Sequence, residues 1–257
     1  MSRRMAVLGF PIEHSLSPIV HSKAAEVLGI SFSYERFAVR EEELAGFLAK
    51  HNEPQWRGFS LTMPLKEEGF KLGHPSDEGT ELTGVANTLI NSSRGWLAYN
   101  TDISGFEFLL EPTEYKSVSI LGTGGTARAA LFAIGKEAEE IEIFRRSDKN
   151  DELCLAINSR IAFREWSDLA DAFDNDLLIN ATSASANNEI RQNGRRVRIA
   201  LDAVYAPWPP PLLDHQQGAA YFSGKDLLVA QALDQVSIFN EVSFNKRELY
   251  KAIRGVI

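Results

Sequence analysis

Hydrophobic and polar positions follow two different periods along this chain. Short apolar runs predict buried strands, and apolar residues spaced three or four apart predict helices. The alternation of the two patterns indicates an α/β fold with mostly parallel strands. Up to residue 101 the patterns predict strands at 5–9, 32–39, 57–62, 84–91 and 95–100, and helices at 17–29, 40–51 and 64–70.

A second α/β unit begins after residue 101. A connecting helix leads into a strand, a glycine turn and a helix over residues 117–138, which has the order of a nucleotide-binding unit. Two amphipathic helices close the chain. The remaining predictions are a connecting helix at 102–110, strands at 140–144, 176–182, 198–205 and 218–224, and helices at 151–159, 226–240 and 246–256.

The stretch "HSLSP" at residues 14–18 places two hydroxyl groups at the start of the first helix. Ser17 is predicted to be the N-cap, with Pro18 at the first helical position. Ser15 then has no capping role. Because a helix N-terminus is electropositive, two hydroxyl donors there predict an anion site.

The stretch "SILGTGGTARAA" carries the strongest single motif. Gly122, Gly124 and Ala127 fit the dinucleotide fingerprint, between a predicted strand and a predicted helix. An NAD site would place an acidic residue at the end of the next strand. The chain has "RRS" there, and two guanidinium groups and a hydroxyl suit a 2′-phosphate, so the sequence predicts NADP(H). The residues of this motif are Arg145, Arg146 and Ser147.

Net charge, the cysteine count and the spacing of histidines argue against several classes of function. The 257-residue chain has a formal net charge of -8, which argues against a nucleic-acid or anionic-membrane binder. An anionic small molecule would need a local positive site. Cys154 is the single cysteine, so no disulfide forms within the chain, which fits the reducing cytoplasm. The five histidines lack metal-ligand spacing, and we predict neither a metal, a signal peptide nor a membrane span.

Three further polar residues are weak signals when each is taken alone. Lys66 follows the predicted strand at 57–62, and its local sequence is that of an ordinary surface lysine. Asn87 precedes an apolar strand. Asp102 is most simply the N-cap of the helix that follows it. Their significance comes from the order in which they occur.

Seven stretches, in order over almost the whole chain, resemble the shikimate dehydrogenase family. They are "GFPIEHSLSPIVHS", "GFSLTMPLK", "GVANTLI", "YNTDISGF", "LGTGGTARAA", "LDAVYAPW" and "GKDLLVAQA". The resemblance implies an N-terminal α/β substrate domain, a Rossmann NADP domain, and C-terminal helices that return to the first domain. It places the substrate domain at 1–101 with 225–257 and the NADP domain at 102–224. It implies reversible, NADPH-dependent reduction of 3-dehydroshikimate to shikimate in aromatic amino-acid (chorismate) biosynthesis.

The resemblance also implies roles for individual residues. Lys66 matches the family's catalytic lysine, and Asp102 matches the aspartate that works beside it. Matching residues for the substrate are Ser15 and Ser17 at its carboxylate, with Thr62, Asn87, Tyr205 and Gln231. Matching residues for the cofactor are Gly122, Gly124, Gly125, Thr126, Ala127, Arg145, Arg146, Ser147 and Thr182. Lysine can stabilise the charge that develops on a reduced ketone and can supply its proton, which suits Lys66 to the role of general acid.

The chain departs from the family pattern at several positions. Ser60 replaces the usual Asn, with little expected effect. Ser185 and Ala186 replace the usual Gly-Met beside the nicotinamide. Three alternatives remain open: a quinate or aminoshikimate dehydrogenase of the same fold, a non-catalytic NADP-binding regulator, and an unrelated Rossmann protein. We expect a small-molecule partner and a monomer or homodimer.

Overall fold

The computed structural model describes residues 3–191 and 195–257, without the side chains of residues 184, 187 and 216–219. The chain forms two compact units. One comprises the chain up to Thr101 together with Leu228–Ile257, and the other is Asp102–Leu227. The chain re-enters the first unit at Leu228, three residues after the boundary expected from the sequence.

The first part of the chain alternates short strands and helices, as predicted. Its strands are β1 (Arg3–Gly9), β2 (Phe32–Ala38), β3 (Trp56–Leu61), β4 (His74–Pro75), β5 (Thr88–Ser92) and β6 (Gly95–Tyr99). Its helices are α1 (Ser17–Leu28), α2 (Leu44–Lys50), α3 (Lys66–Leu72) and α4 (Glu78–Thr83), with a 3-10 turn at Glu41–Glu43 before α2.

The rest of the chain holds the second sheet and the C-terminal helices. The strands are β7 (Ser117–Leu121), β8 (Glu140–Arg145), β9 (Ala162–Glu165), β10 (Leu177–Asn180), β11 (Val197–Asp202) and β12 (Gln216–Phe222). The helices are α5 (Thr101–Leu110), α6 (Gly125–Ile134), α7 (Asp151–Ile157), α8 (Asn187–Arg191), α9 (Gly224–Asn240) and α10 (Lys246–Arg254). Three 3-10 segments lie at Trp166–Phe173, Ala184–Ala186 and Leu213–His215.

The sheet of the first unit has the order β2-β1-β3-β5-β6-β4. β1 pairs in parallel with β2 and β3, whereas β5 runs antiparallel to β3 and β6. Because β1 lies between two other strands, its apolar residues from Met5 onward are buried. Phe59 on β3 and Leu89 on β5 belong to the apolar core on this sheet.

The sheet of the second unit has the order β12-β11-β10-β7-β8-β9, and all of its neighbouring strands pair in parallel. In chain order within the unit this is 6-5-4-1-2-3, which is the order of the Rossmann fold. The fold class predicted from the sequence is therefore confirmed. In such sheets ligands bind beyond the carboxyl ends of the strands, where the strand order reverses, here beside β7 and β10.

Two helix starts differ from the sequence prediction. α1 begins at Ser17 itself, with Leu16 at the N-cap position, so the N-cap assignment of Ser17 was wrong. α5 begins at Thr101, so Asp102 lies within the first turn rather than at the cap. Among the described residues no helix has both the length and the apolar character that crossing a membrane requires.

Candidate active site

Ser15 has a local structural role that the sequence did not reveal. Its Oγ accepts a hydrogen bond of 3.3 Å from the backbone N–H of Ser17, and its own N–H donates to the carbonyl of Ile12 at 3.0 Å. The expectation that Ser15 has no capping function was therefore wrong. The Ser17 side chain is nearly buried and hydrogen-bonds to Tyr34 on β2. Both hydroxyl groups thus lie at the N-terminus of α1, where the helix dipole would stabilise an anion.

A chain of hydrogen-bonded polar side chains, most of them buried, continues from the Ser17–Tyr34 contact into the first unit. We call it the polar cluster. Its hydrogen bonds connect side chains of the sheet with side chains of α9. Its members are Tyr34, Ser60, Asn87, Thr88, Thr101, Gln231 and Gln235, and the ring of His21 packs against it.

In the first half of the polar cluster each side chain donates a hydrogen bond to the next one. The Tyr34 hydroxyl donates to Ser60 Oγ at 2.7 Å, and Ser60 donates to Gln235 Oε1 at 2.9 Å. Burial raises the pKa of Tyr34 above its usual range, so the phenol keeps the proton that it donates. Gln235 Nε2 then donates to the Asn87 carbonyl and to Thr88 Oγ1. Ser60, expected from the sequence to matter little, lies at the centre of this chain.

The second half of the polar cluster fixes Asn87. Its Oδ1 accepts from Thr88 Oγ1 at 2.9 Å and from the Thr101 N–H at 2.9 Å. Its Nδ2 donates to Thr101 Oγ1 at 3.0 Å and to Gln231 Oε1 at 3.2 Å. Two residues predicted to bind substrate, Asn87 and Gln231, are thus in direct contact and oriented by their neighbours.

His21 is fully buried beside the polar cluster. Its ring stacks on Tyr34, with 3.9 Å between ring centroids, and its Nε2 lies 3.2 Å from Gln235 Oε1. Since that oxygen is an acceptor, Nε2 carries the ring proton. Burial lowers the pKa of His21 to about 3, with a smaller opposing effect of the Gln235 hydrogen bond. His21 is therefore a neutral donor and not an acid–base group near neutral pH.

Thr62 lies in the turn that joins β3 to α3, and Lys66 is the first residue of α3. The Thr62 N–H bonds to the Leu8 carbonyl of β1 at 3.0 Å. The Lys66 carbonyl accepts from the Ala86 N–H at 2.9 Å, next to Asn87 in the chain. The backbone therefore holds the half-buried Lys66 beside the segment that carries Asn87.

Asp102 and Tyr205 belong to the second unit. Asp102 is 6% exposed, in the first turn of α5, and directly follows Thr101 of the polar cluster. Tyr205 is half-buried in the loop after β11. Their roles beside Lys66 and the substrate stay predictions.

The glycine turn has the geometry that the fingerprint requires. Gly122 has φ of +101°, a conformation that L side chains rarely adopt, and a Cβ there would lie 3.4 Å from the Ala181 carbonyl oxygen. A Cβ on Gly124, by contrast, would meet no atom within 4 Å. A ligand can therefore approach the Gly124 backbone at the start of α6, where Gly125, Thr126 and Ala127 form the first turn. The first N–H groups of a helix have no partner within the helix, which suits this turn to a pyrophosphate.

A cavity of about 200 Å³ lies at the carboxyl ends of β7 and β8. The structure brings together in its wall five residues predicted from the sequence: Gly122, Arg145, Arg146, Ser147 and Thr182. Residues that sequence reasoning missed complete it: Thr123, Phe144, Trp166 and Ser183, with Ala186, noted only as a departure from the family pattern. Trp166 belongs to no recognisable sequence motif. It lies near β8 because it directly follows β9, which pairs with β8.

The two arginines of this cavity differ in how they are held. Arg145 Nε donates to Asp151 and its Nη1 to Glu165, both at 2.8 Å, and its side chain is 17% exposed. Arg146 is 43% exposed and forms one ion pair, with Glu189 at 2.7 Å. The sequence motif predicted the same role for both arginines, whereas of the two only Arg146 presents an accessible guanidinium group.

Cys154 adds no reactive thiolate to the polar cluster or to the cavity. Burial raises the pKa of the Cys154 thiol to about 11, which excludes a reactive thiolate near neutral pH. Over residues 3–191 and 195–257, no group of three or more His, Cys, Asp or Glu side chains is arranged to hold a metal ion.

Comparison with known proteins assigns the family. The family model described as "Shikimate dehydrogenase substrate binding domain" matches residues 7–89. A protein of Methanothrix thermoacetophila named shikimate dehydrogenase (NADP(+)) is 32% identical, over 98% of this chain and 97% of that protein. The chain belongs to the shikimate dehydrogenase family. This confirms the resemblance seen in the seven sequence stretches.

Solved structures of the family extend over the whole chain. Mycobacterium tuberculosis shikimate dehydrogenase is 30% identical and superposes with a TM-score of 0.86, over 99% of this chain and 100% of that one. Shikimate 5-dehydrogenase of Thermus thermophilus, solved in complex with NADP(H) and shikimate, is 27% identical with a TM-score of 0.84, over 99% and 100% of the two chains. Family membership therefore covers both units.

Proposed function

We propose that this protein catalyses the reversible reduction of 3-dehydroshikimate to shikimate with NADPH as the hydride donor. Family membership over the whole chain carries the proposal, since a relative at 32% identity is named shikimate dehydrogenase (NADP(+)). A second relative was solved with both NADP(H) and shikimate bound. The first unit is the substrate domain and the second is the NADP domain in this proposal.

Ser15 and Ser17 bind the substrate carboxylate. Their hydroxyl groups lie at the N-terminus of α1, and a carboxylate gains there from both hydrogen bonds and the helix dipole. The protein as a whole is negatively charged, so an anionic substrate needs such a local site. On binding, the Ser17 hydroxyl exchanges its Tyr34 contact for the carboxylate or shares it.

Thr62, Asn87, Gln231 and Tyr205 orient the ring of the substrate through its hydroxyl groups. Asn87 and Gln231 are pre-organised by the polar cluster, because Asn87 Oδ1 accepts from the Thr101 N–H and Gln231 Oε1 accepts from Asn87 Nδ2. A site built from such oriented groups rejects ring analogues that lack a hydroxyl, since a buried polar group would then lose its partner.

Lys66 is the general acid in reduction and the general base in oxidation. Its ammonium group stabilises the negative charge that develops on the ketone oxygen and transfers a proton to that oxygen. Asp102 orients the lysine and the substrate hydroxyl. One proton and one hydride thus add across the carbonyl and give the alcohol.

The second unit holds NADP(H). The close approach available at Gly124, the left-handed turn at Gly122 and the adjoining cavity fit the pyrophosphate and the adenosine end of this cofactor. The bound nicotinamide supplies the hydride. Arg146 and Ser147 offer a cation and a hydroxyl for the 2′-phosphate. Gly125, Thr126 and Ala127 contribute the first turn of α6, and Thr182 lines the cavity.

An absorbance assay of the nicotinamide tests this function against its closest alternatives. Shikimate, quinate and an aminated shikimate are each crossed with NADP⁺ and NAD⁺. The proposal expects the highest kcat/KM for shikimate with NADP⁺. A higher value for quinate or aminoshikimate would assign the substrate to the alternative, and turnover of none of the three would favour a non-catalytic regulator.

The carboxylate site predicts different effects for its two serines. Ser15→Ala should raise the KM for shikimate about tenfold and cost about 1 kcal/mol of stability, since it removes one charge-assisted hydrogen bond to substrate and one local backbone contact. Ser17→Ala should raise the KM similarly but cost more stability, because Ser17 is buried and bonds to Tyr34. Steady-state kinetics and urea unfolding measure both effects.

Ser22→Ala is the matched control, because Ser22 lies on the exposed side of α1. It should leave both the KM and the stability unchanged. If Ser15→Ala lowered stability while the KM stayed at the wild-type value, the motif would be a helix start and not a carboxylate site.

A further inference from the structure

Arg146 is held on two sides by residues that the sequence did not indicate. Its guanidinium carbon lies 4.6 Å from the centroid of the Trp166 ring. Its Nη2 donates to Glu189 Oε1 at 2.7 Å, and the Trp166 indole N–H donates to the other oxygen of the same carboxylate. Arg146, Trp166 and Glu189 therefore form a closed triangle of contacts, which we call the arginine clamp.

Two members of the arginine clamp lie in the wall of the cavity beside β8, and the third, Glu189, contacts both of them from outside that wall. Arg146 and Trp166 line this cavity together with Ser147 and Thr182. The neighbouring Arg145 is mostly buried and binds two carboxylates, so it has little capacity to respond to an added anion. Arg146 is the more exposed of the two, and its position depends on the clamp.

Trp166 and Glu189 have opposite effects on the affinity of Arg146 for an anion. The Trp166 ring orients the guanidinium plane and reduces the freedom of a long side chain, without changing the local charge. Glu189 also orients Arg146, but its negative charge opposes a phosphate that approaches the same guanidinium group. An amide in its place would keep a hydrogen-bond acceptor for Arg146 and would remove that repulsion.

We propose that the arginine clamp sets the affinity for the 2′-phosphate of the cofactor, with Trp166 strengthening binding and Glu189 weakening it. The inference rests on the proposed function, since it concerns the adenosine end of NADP(H). Trp166 and Glu189 are positioning residues here, because both act through Arg146. The clamp distinguishes the phosphorylated from the unphosphorylated ribose and leaves the other contacts of the nucleotide unchanged.

Calorimetric binding of two fragments tests the proposal without any turnover. Adenosine 2′,5′-bisphosphate and adenosine 5′-monophosphate differ only in the 2′-phosphate. Arg146→Ala should weaken the bisphosphate by about tenfold or more and the monophosphate by less than about twofold. Trp166→Ala should weaken the bisphosphate about two- to fivefold, and Trp166→Phe should restore part of that loss by restoring an aromatic face. Glu189→Gln should bind the bisphosphate about two- to fivefold more tightly.

Trp208→Ala serves as the matched aromatic control in the same unit. Trp208 is 58% exposed and is absent from the residues that line the cavity, and its loss should leave both affinities unchanged. The inference is overturned if Trp166→Ala weakens both fragments equally or neither, or if Glu189→Gln weakens the bisphosphate. A wild-type protein that does not prefer the bisphosphate would contradict the proposed NADP(H) cofactor itself. A wild-type preference for the bisphosphate that the clamp variants do not change would contradict only the role of the clamp.

Discussion

Replacing Lys66 by alanine should lower kcat for shikimate oxidation by about a hundred- to ten-thousandfold. The variant loses both the charge that stabilises the developing alkoxide and the group that exchanges its proton. Binding of NADPH should persist, because Lys66 belongs to the first unit and the glycine turn and the cavity to the second. Steady-state kinetics at saturating substrates and NADPH fluorescence titration measure the two quantities separately.

Two further variants make the Lys66 prediction specific. Lys71→Ala removes an exposed lysine from the same helix α3 and should leave kcat unchanged. Lys66→Arg keeps the positive charge but not a readily transferred proton, and should recover little of the lost rate. If Lys66→Ala retained a kcat within a few-fold of the wild type, the assignment of the general acid would be wrong.

The stability of the protein should depend on pH through His21. In the folded state the pKa of His21 is lowered by burial to about 3, against 6.5 in the unfolded chain. The unfolded state therefore binds more protons between these values, so stability is full above pH 6.5 and falls as the pH is lowered. The loss attributable to this side chain is roughly 1.4 kcal/mol for each pH unit below 6.5.

His21→Gln isolates this contribution, because glutamine keeps a hydrogen-bond donor and has no proton to gain. The variant should be less stable than the wild type at pH 7.5, where it lacks the ring stack on Tyr34. That difference should shrink as the pH falls from 6.5 to 4.5. Urea unfolding at each pH measures it. Asp202, whose pKa is raised by burial to about 6, acts oppositely below pH 6 but is present in both proteins and cancels.

The exposed His74 provides the control for the pH prediction. His74→Gln should follow the wild-type dependence on pH. A difference between wild type and His21→Gln that stayed constant from pH 7.5 to pH 4.5 would contradict the assignment of His21 as a buried neutral donor.

The sequence predicted the elements whose pattern is local. β1, β7 and β10 were predicted because each is a short apolar run buried within a sheet, and α6 because it follows a glycine turn. β4 and β9 escaped prediction because they are two and four residues long and lie at sheet edges with mostly exposed side chains. The pairing of β7 with β10, which sets the Rossmann strand order, is encoded in no local pattern, and the sequence predicted a Rossmann domain only through the glycine motif and the family resemblance.

The candidate site divides in the same way. Gly122 was predicted from a local motif, whereas the roles of Lys66 and Asn87 were predicted only from the resemblance to a family. The polar cluster could not, because Gln235 and Ser60 are 175 residues apart and their contact depends on the packing of α9 against the sheet. The unequal roles of Arg145 and Arg146 were equally hidden, since they follow from carboxylates at distant positions such as Glu165 and Glu189.

Reduction of 3-dehydroshikimate by the purified protein is the decisive measurement of the proposed activity. Consumption of NADPH is followed by absorbance while the product is identified and quantified by chromatography. The proposed function requires one shikimate formed for each NADPH oxidised, with a clearly lower kcat/KM when NADH replaces NADPH. Oxidation of NADPH without formation of shikimate, or a higher kcat/KM with NADH, would contradict it.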